Sequence, residues 1–149
     1  MDGKHFEDFA VGDEYVSDYR IVSEPDFRRF LDLAGVREPL FESRQYLRSG
    51  TDHERWIVPG FLTLSFSLGL FTRSGWIHGT GLAMLGAESL SFEAPVHVDD
   101  EIRVRVECVE TTRTSLDRGG VVTLDWETET QDEQTVLEMT STHLIAARD

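Results

Sequence analysis

Residues 57–73, IVPGFLTLSFSLGLFTR, place apolar side chains at Phe61, Leu62, Leu64, Phe66, Leu68, Leu70 and Phe71. At 3.6 residues per turn these cover nearly every face of a helix, and a helix apolar all round belongs inside a fold. Only Thr63, Ser65, Ser67 and Gly69 lie between them, small residues that let other backbone come close, and Pro59-Gly60 punctuates the N-terminal end. The run is too short and too rich in Ser and Thr to span a bilayer. It reads as a central helix wrapped by a sheet. Its first turn would carry unpaired N–H groups and the positive end of the helix dipole, where a carbonyl oxygen or a phosphate is held.

At 149 residues the chain reads as one domain, 1–149, with 40% hydrophobic and 28% charged residues. The first fifteen residues contain no apolar signal-like stretch, and the expectation is a cytoplasmic protein. The net charge of −14 argues against nucleic acid and against an anionic membrane surface as partners. One lysine, Lys4, stands against thirteen arginines. Such a surface suits a high-salt cytosol, and a GC-rich genome gives the same bias. Cys108 is the only cysteine, so no internal disulfide or cysteine-based zinc site is available, and its place in an alternating run makes it a buried structural thiol.

Before the central helix, residues 14–22 have the β-branched and aromatic content of a strand. Ser23 and Asp26 then form a capping-box-like start for a short helix with Phe27, Phe30, Leu31 and Ala34 on one face and Gly35 as its stop. Residues 36–56 are irregular and polar, with a turn or two of helix near 43–48. Beyond Gly75, Gly79 and Gly81 come four strand-like runs, 82–92, 101–112, 121–129 and 135–146, three of them alternating with period two. The order predicts an α+β fold, an antiparallel meander curved around one long helix.

The residues and their order resemble the hot-dog fold of the MaoC-like (R)-specific enoyl-CoA hydratases and dehydratases. The resemblance rests on Phe6-Glu7-Asp8-Phe9 with Val11-Gly12-Asp13, on Ile57-Val58-Pro59-Gly60 at the entry to the central helix, and on Ser91 to Val96 with Asp99-Asp100-Glu101-Ile102, where Asp99 replaces the family's glycine. It implies a homodimer joined sheet edge to sheet edge, with an acyl-CoA or acyl-carrier thioester in a tunnel at the interface. CoA enters as part of the substrate, and no separate cofactor is implied. It also implies that the amide of Gly60 or Phe61 polarises the thioester carbonyl, as an oxyanion hole does. One departure is plain: the family loop G-D-x-N-P-x-H reads Gly35-Val36-Arg37-Glu38-Pro39-Leu40-Phe41 here, with Val36 in the aspartate's place and Phe41 in the histidine's. Neither side chain moves a proton.

Glu38, in the asparagine's place, is the candidate for a lone general base, and pairing with Arg37 or facing water is the alternative. Glu42, Asp52 and Glu54 read as exposed loop acids. His53 follows Asp52, seven residues before Gly60, and reads as a surface histidine or a relocated dyad member. His143 reads as a satisfied core or interface histidine, and His78 and His97 as turn residues. No metal-ligand spacing surrounds any of them. Ser65 and Ser67 lack a nucleophile elbow and read as small packing residues. Arg73, Arg113 and Arg118 are candidates for contacts to CoA phosphates. Three functions therefore stand side by side: a hydratase or dehydratase with an altered site, a non-catalytic thioester-binding subunit paired with a dyad-bearing hot-dog chain, and a thioesterase using Glu38.

Overall fold

The computed structural model describes residues 2–114 and 119–148. A 3-10 turn at Phe6–Asp8 leads to β1 (Glu14–Val16) and β2 (Arg20–Ile21), then α1 (Glu24–Ala34), α2 (Pro39–Glu42), α3 (Arg44–Gly50) and the central helix α4 (Gly60–Thr72). The meander follows as β3 (Gly81–Phe92), β4 (Glu101–Arg113), β5 (Gly119–Thr130) and β6 (Thr135–Ala146). These make one six-stranded antiparallel sheet in the order β1-β4-β5-β6-β3, with β2 also on β4. The predicted α+β architecture, a curved sheet around a central helix, is the one observed.

Alternation fixes which face of each long strand is dry. On β4, Ile102, Val104, Val106 and Cys108 are buried; on β5, Val122, Leu124 and Trp126; on β6, Leu137, Met139, Ser141, His143 and Ile145. At the N-terminal end of α1, Ser23 Oγ accepts from the Asp26 amide at 3.2 Å, and Gly35, at φ 71°, stops it in the left-handed conformation that glycine adopts without steric cost. Its buried residues are Phe27 and Leu31, each worth about 1.5–3 kcal/mol of apolar burial. Phe30 is half-buried and Ala34 exposed, so the apolar face is narrower than the spacing suggested. The lone lysine is also structural: Lys4 Nζ meets Asp13 at 2.7 Å and lies 4.3 Å from the centre of the Trp76 ring.

Three expectations are corrected. The first strand is two short ones, because Ser17 interrupts it: its amide donates to the Val104 carbonyl while its Oγ accepts from the Val104 amide, which ties up that rung locally. In the stretch 36–56 the helix expected near 43–48 is α3, capped by Ser43, whose Oγ accepts from the Tyr46 amide at 3.1 Å, but a further helical turn that was not expected, α2, precedes it at Pro39–Glu42. Finally, α4 is not buried on all sides. Leu62, Thr63, Ser67, Leu70 and Phe71 face the sheet, whereas Phe61 and Leu68 are 64% and 41% exposed. The small polar residues are turned inward because they permit close approach: Ser67 Oγ lies 2.7 Å from Thr128 Oγ1 on β5 and also donates to the Thr63 carbonyl.

Beneath α4, Trp126 Nε1 donates to Ser141 Oγ at 2.7 Å, and His143 Nε2 lies 2.8 Å from the same hydroxyl. Burial holds the His143 pKa below its ordinary 6.5. The unfolded chain therefore takes up this proton first as pH falls, so the neutral ring's contribution is complete above 6.5 and is lost as pH drops through the folded value. Acidification from pH 7 to 5 should lower the melting temperature of the wild type. In His143→Gln, whose side-chain amide can still hydrogen-bond Ser141, the decline over that range should be shallower, leaving the part due to His97. The lowered carboxylates of Glu7, Asp8, Asp13 and Asp100 act separately, below about pH 4.

Candidate functional site

At the start of α4 the Leu62 and Thr63 amides both turn back on the Pro59 carbonyl, at 3.0 and 3.3 Å. Pro59, the N-cap residue, offers no side-chain acceptor. The Gly60 and Phe61 amides are therefore left without an acceptor among the described residues, at the positive end of the helix dipole. A cleft of about 550 Å³ opens there, lined by Ile57, Val58, Gly60, Phe61, Thr63, residues 92–96 and Val136. Glu93 is its one ionisable lining residue, and Ser91 Oγ donates to its Oε1 at 2.5 Å.

Two strand-like segments build the wall. Ile57 bridges His97, the Val58 amide donates to the Val96 carbonyl at 2.7 Å, and the Val98 amide donates to the Trp56 carbonyl at 2.9 Å. Phe92 closes the cleft against α4: a Cβ placed on Gly60 would stand 2.7 Å from Phe92 Cε1, and the ring packs edge-on to Phe61 with centroids 6.2 Å apart. Only glycine allows that approach.

Loop 35–41 is held by aromatic packing, with two arginines laid against it. Val36, Leu40 and Phe41 lie against the core; Phe41 meets Phe27 edge-on at 6.1 Å, and Phe27 meets Trp56 at 6.1 Å. The guanidinium of Arg28 sits 4.7 Å from the centre of the Trp56 ring and donates to the Phe41 carbonyl at 2.9 Å, while that of Arg44 sits 5.1 Å from the same ring centre. Glu38 is exposed at the N-cap of α2 and does not line the cleft. Its neighbour Arg37 pairs instead with Asp32 and Glu42, at 3.5 and 3.1 Å.

The other candidates are dispersed. Arg113 ends β4, where it meets Glu7 at 3.1 Å and covers the Phe6 ring. Arg118 lies outside the described residues. Arg73 and His78 are exposed beyond α4, and Ser65 donates back to the Phe61 carbonyl. The described residues contain no group of three or more histidine, cysteine, aspartate or glutamate residues able to hold a metal.

Two histidines read as surface and turn residues prove to be partners. His53 Nδ1 lies 2.9 Å from His97 Nε2, and Asp100 Oδ2 lies 3.7 Å from His97 Nδ1 while accepting from the His97 amide at 2.8 Å. Asp100 is buried and held from two further sides, by Arg55 at 3.3 Å and by Gln131 Nε2 at 3.1 Å. Burial, then Arg55, lower the pKa of His97. Forty-four residues separate the two rings, and neither lies in a periodic run, so no local signal announces the contact.

With this geometry described, comparison places the chain among known proteins. A model of the MaoC-like domain matches residues 9–131. Protein MaoC of Klebsiella aerogenes is 30% identical over 109 residues, 73% of this chain and 32% of that protein, so the chain spans about a third of that curated relative's length. A monoamine oxidase regulatory protein from Archaeoglobus superposes with a TM-score of 0.91 at 25% identity, covering 100% of this chain and 98% of that one. An (R)-hydratase from A. caviae involved in PHA biosynthesis gives 0.74 at 26% identity, covering 94% and 98%. The shared architecture is the hot-dog fold.

The dependence of the cleft wall on Gly60 is open to test. In Gly60→Ala the Phe92 ring should swing away from α4, read as shifted aromatic proton signals of Phe61 and Phe92 in NMR spectra. The melting temperature should move little, because alanine's helical advantage over glycine, about 0.5–1 kcal/mol, offsets the displacement. Unchanged Phe92 signals would contradict this account of the wall.

Proposed function

Since the chain belongs to the MaoC-like domain family, we propose that it is an acyl-thioester protein of the hydratase and dehydratase type, taking an enoyl thioester into the cleft at the start of α4. The observation that carries this reading is the pair of unpartnered amides at Gly60 and Phe61, opening on a largely apolar cleft. An acyl chain suits such walls. Two N–H groups at a helix start suit a thioester carbonyl whose oxygen gains negative charge during addition of water, and preorganised donors of this kind are typically worth about 3–4 kcal/mol of transition-state stabilisation. CoA or an acyl-carrier protein would be the thiol portion of the substrate, with no separate cofactor.

A second copy of the chain is proposed as partner. β3 pairs with β6 on one side only, and Leu82, Met84, Leu85 and Phe92 on it are exposed together with Phe61 and Leu68 on α4. Joining two β3 edges would satisfy their free backbone groups and cover these side chains. No helix among the described residues is long and apolar enough to cross a membrane.

The packing of Val36 and Phe41 favours one alternative, a subunit that binds the thioester and leaves catalysis to a partner chain. Hydration of crotonyl-CoA, followed as loss of enoyl absorbance in high salt, separates the two. Turnover is expected. It should survive Glu38→Gln, given where Glu38 stands, and fall at least tenfold in Gly60→Ala. Tight binding of crotonyl-CoA without turnover would select the binding subunit, and release of free thiol would select a thioesterase.

The dimer is checked separately by sedimentation. The wild type should run as a dimer, and the double substitution Leu82→Glu with Leu85→Glu should run as a folded monomer.

A further inference from the structure

Four residues of α4 carry hydroxyls, and three of these are spent on the helix itself. Ser65 Oγ donates to the Phe61 carbonyl at 2.7 Å, Ser67 Oγ to the Thr63 carbonyl at 2.8 Å, and Thr72 Oγ1 to the Gly69 carbonyl at 2.8 Å. Thr63 is the exception. Its amide donates to the Pro59 carbonyl and its carbonyl accepts from Ser67, but its hydroxyl has no hydrogen-bond partner among the described residues. Thr63 is only 2% exposed, and an unpaired hydroxyl at that depth costs free energy unless something reaches it.

The cleft is what reaches it. Among the described residues, the unpaired side-chain polar atoms that are sealed from solvent are Trp56 Nε1 and Thr80 Oγ1. Thr63 Oγ1 is not one of them, so the small surface that Thr63 keeps includes its oxygen, and Thr63 lines the cleft at the start of α4. Residues three apart on a helix stand about 5–6 Å from each other. A carbonyl held at the Gly60 and Phe61 amides therefore leads its chain past Thr63 within the first few carbons. The lining is otherwise largely apolar, which suits a hydrocarbon, but a hydrocarbon laid against Thr63 strips the hydroxyl of water and returns no bond. An oxygen on the chain restores it. The one ionisable lining residue is the acid Glu93, with no cation beside it in the lining, so a carboxylate finds no counter-charge there.

We propose that Thr63 is a specificity-determining residue, selecting acyl thioesters that carry an uncharged oxygen at C4, a ketone or a hydroxyl, over plain hydrocarbon chains. The inference rests on the cleft being the thioester site. Thr63 Oγ1 donates to a ketone oxygen, and it donates to or accepts from a hydroxyl. Discrimination comes from the rejected ligand: a chain without the oxygen leaves the hydroxyl buried and unpaired, which weakens its binding by about 10–100-fold against an oxygenated chain of the same shape.

The test uses the full chain labelled with nitrogen-15 and two saturated thioesters of equal length and similar shape, 4-oxopentanoyl-CoA and 4-methylpentanoyl-CoA, neither of which can be hydrated. Dissociation constants are read from the shifts of the Gly60 and Phe61 amide signals. The wild type should bind the ketone about 10–100-fold more tightly. Thr63→Val keeps the branched shape without the hydroxyl and should bring the two constants together, whereas Thr63→Ser should keep the preference. Neither substitution removes a hydrogen bond within the protein, so both variants should melt within a few degrees of the wild type. Equal binding of the two thioesters by the wild type, with the amides shifting, overturns this inference and leaves the cleft reading intact. A preference that survives Thr63→Val overturns the role of Thr63. Tighter binding of succinyl-CoA, which carries a carboxylate at C4, than of 4-oxopentanoyl-CoA overturns the choice of an uncharged group. If no thioester moves the Gly60 and Phe61 amides, the cleft reading fails and this inference fails with it.

Discussion

The close approach of α4 to the sheet is the constraint from which the rest of the geometry follows. Ser67 touches Thr128 across that interface, and Phe71 meets Trp126 edge-on at 4.9 Å, so the contact has a small polar part and a large aromatic part. A bulky residue at position 67 would lift the helix and break both. The hydroxyls are tolerated in a dry interface because each is hydrogen-bonded: Ser67 to Thr63 and Thr128, Ser141 to Trp126 and His143. Turning its small residues inward leaves α4 with surplus apolar residues, and Phe61 and Leu68 emerge on the open side next to the bare edge of β3. The exposed Phe61 and Leu68 are thus consequences of that packing choice.

Loop 35–41 is held by packing rather than by charge. Val36 and Phe41 pack against the core: Phe41 joins a run of rings through Phe27 to Trp56, with Arg28 and Arg44 against the indole. Both arginines also share Glu24, at 3.6 and 3.7 Å. These pairs are substantially exposed, and contacts of that kind are worth about 0–1 kcal/mol each, so the rings and not the charges hold the loop.

Much of this was legible residue by residue. Period two in the meander gave the dry faces of β4, β5 and β6, and Ser23 and Gly35 marked the ends of α1. Asp99, standing in the family's glycine position, has φ 76°, which explains why glycine is favoured there. Other features had no local signature. The break of the first strand depends on Ser17 meeting Val104, eighty-seven residues away, and the exposure of Phe61 depends on which side of α4 the sheet takes. Hydrophobicity says that a side chain favours burial, but not whether this chain supplies the cover.

The sequence by itself determined the class of fold, the central helix, and a loop 35–41 that contains neither aspartate nor histidine, because periodicity, punctuation and side-chain chemistry are local properties. Only the tertiary structure decided which amides remain free, how Phe92 closes on Gly60, and that His53 lies against His97 with Asp100 behind. Those are contacts between residues distant along the chain, and their geometry is set by how strands and helix pack, which no window of neighbouring residues encodes.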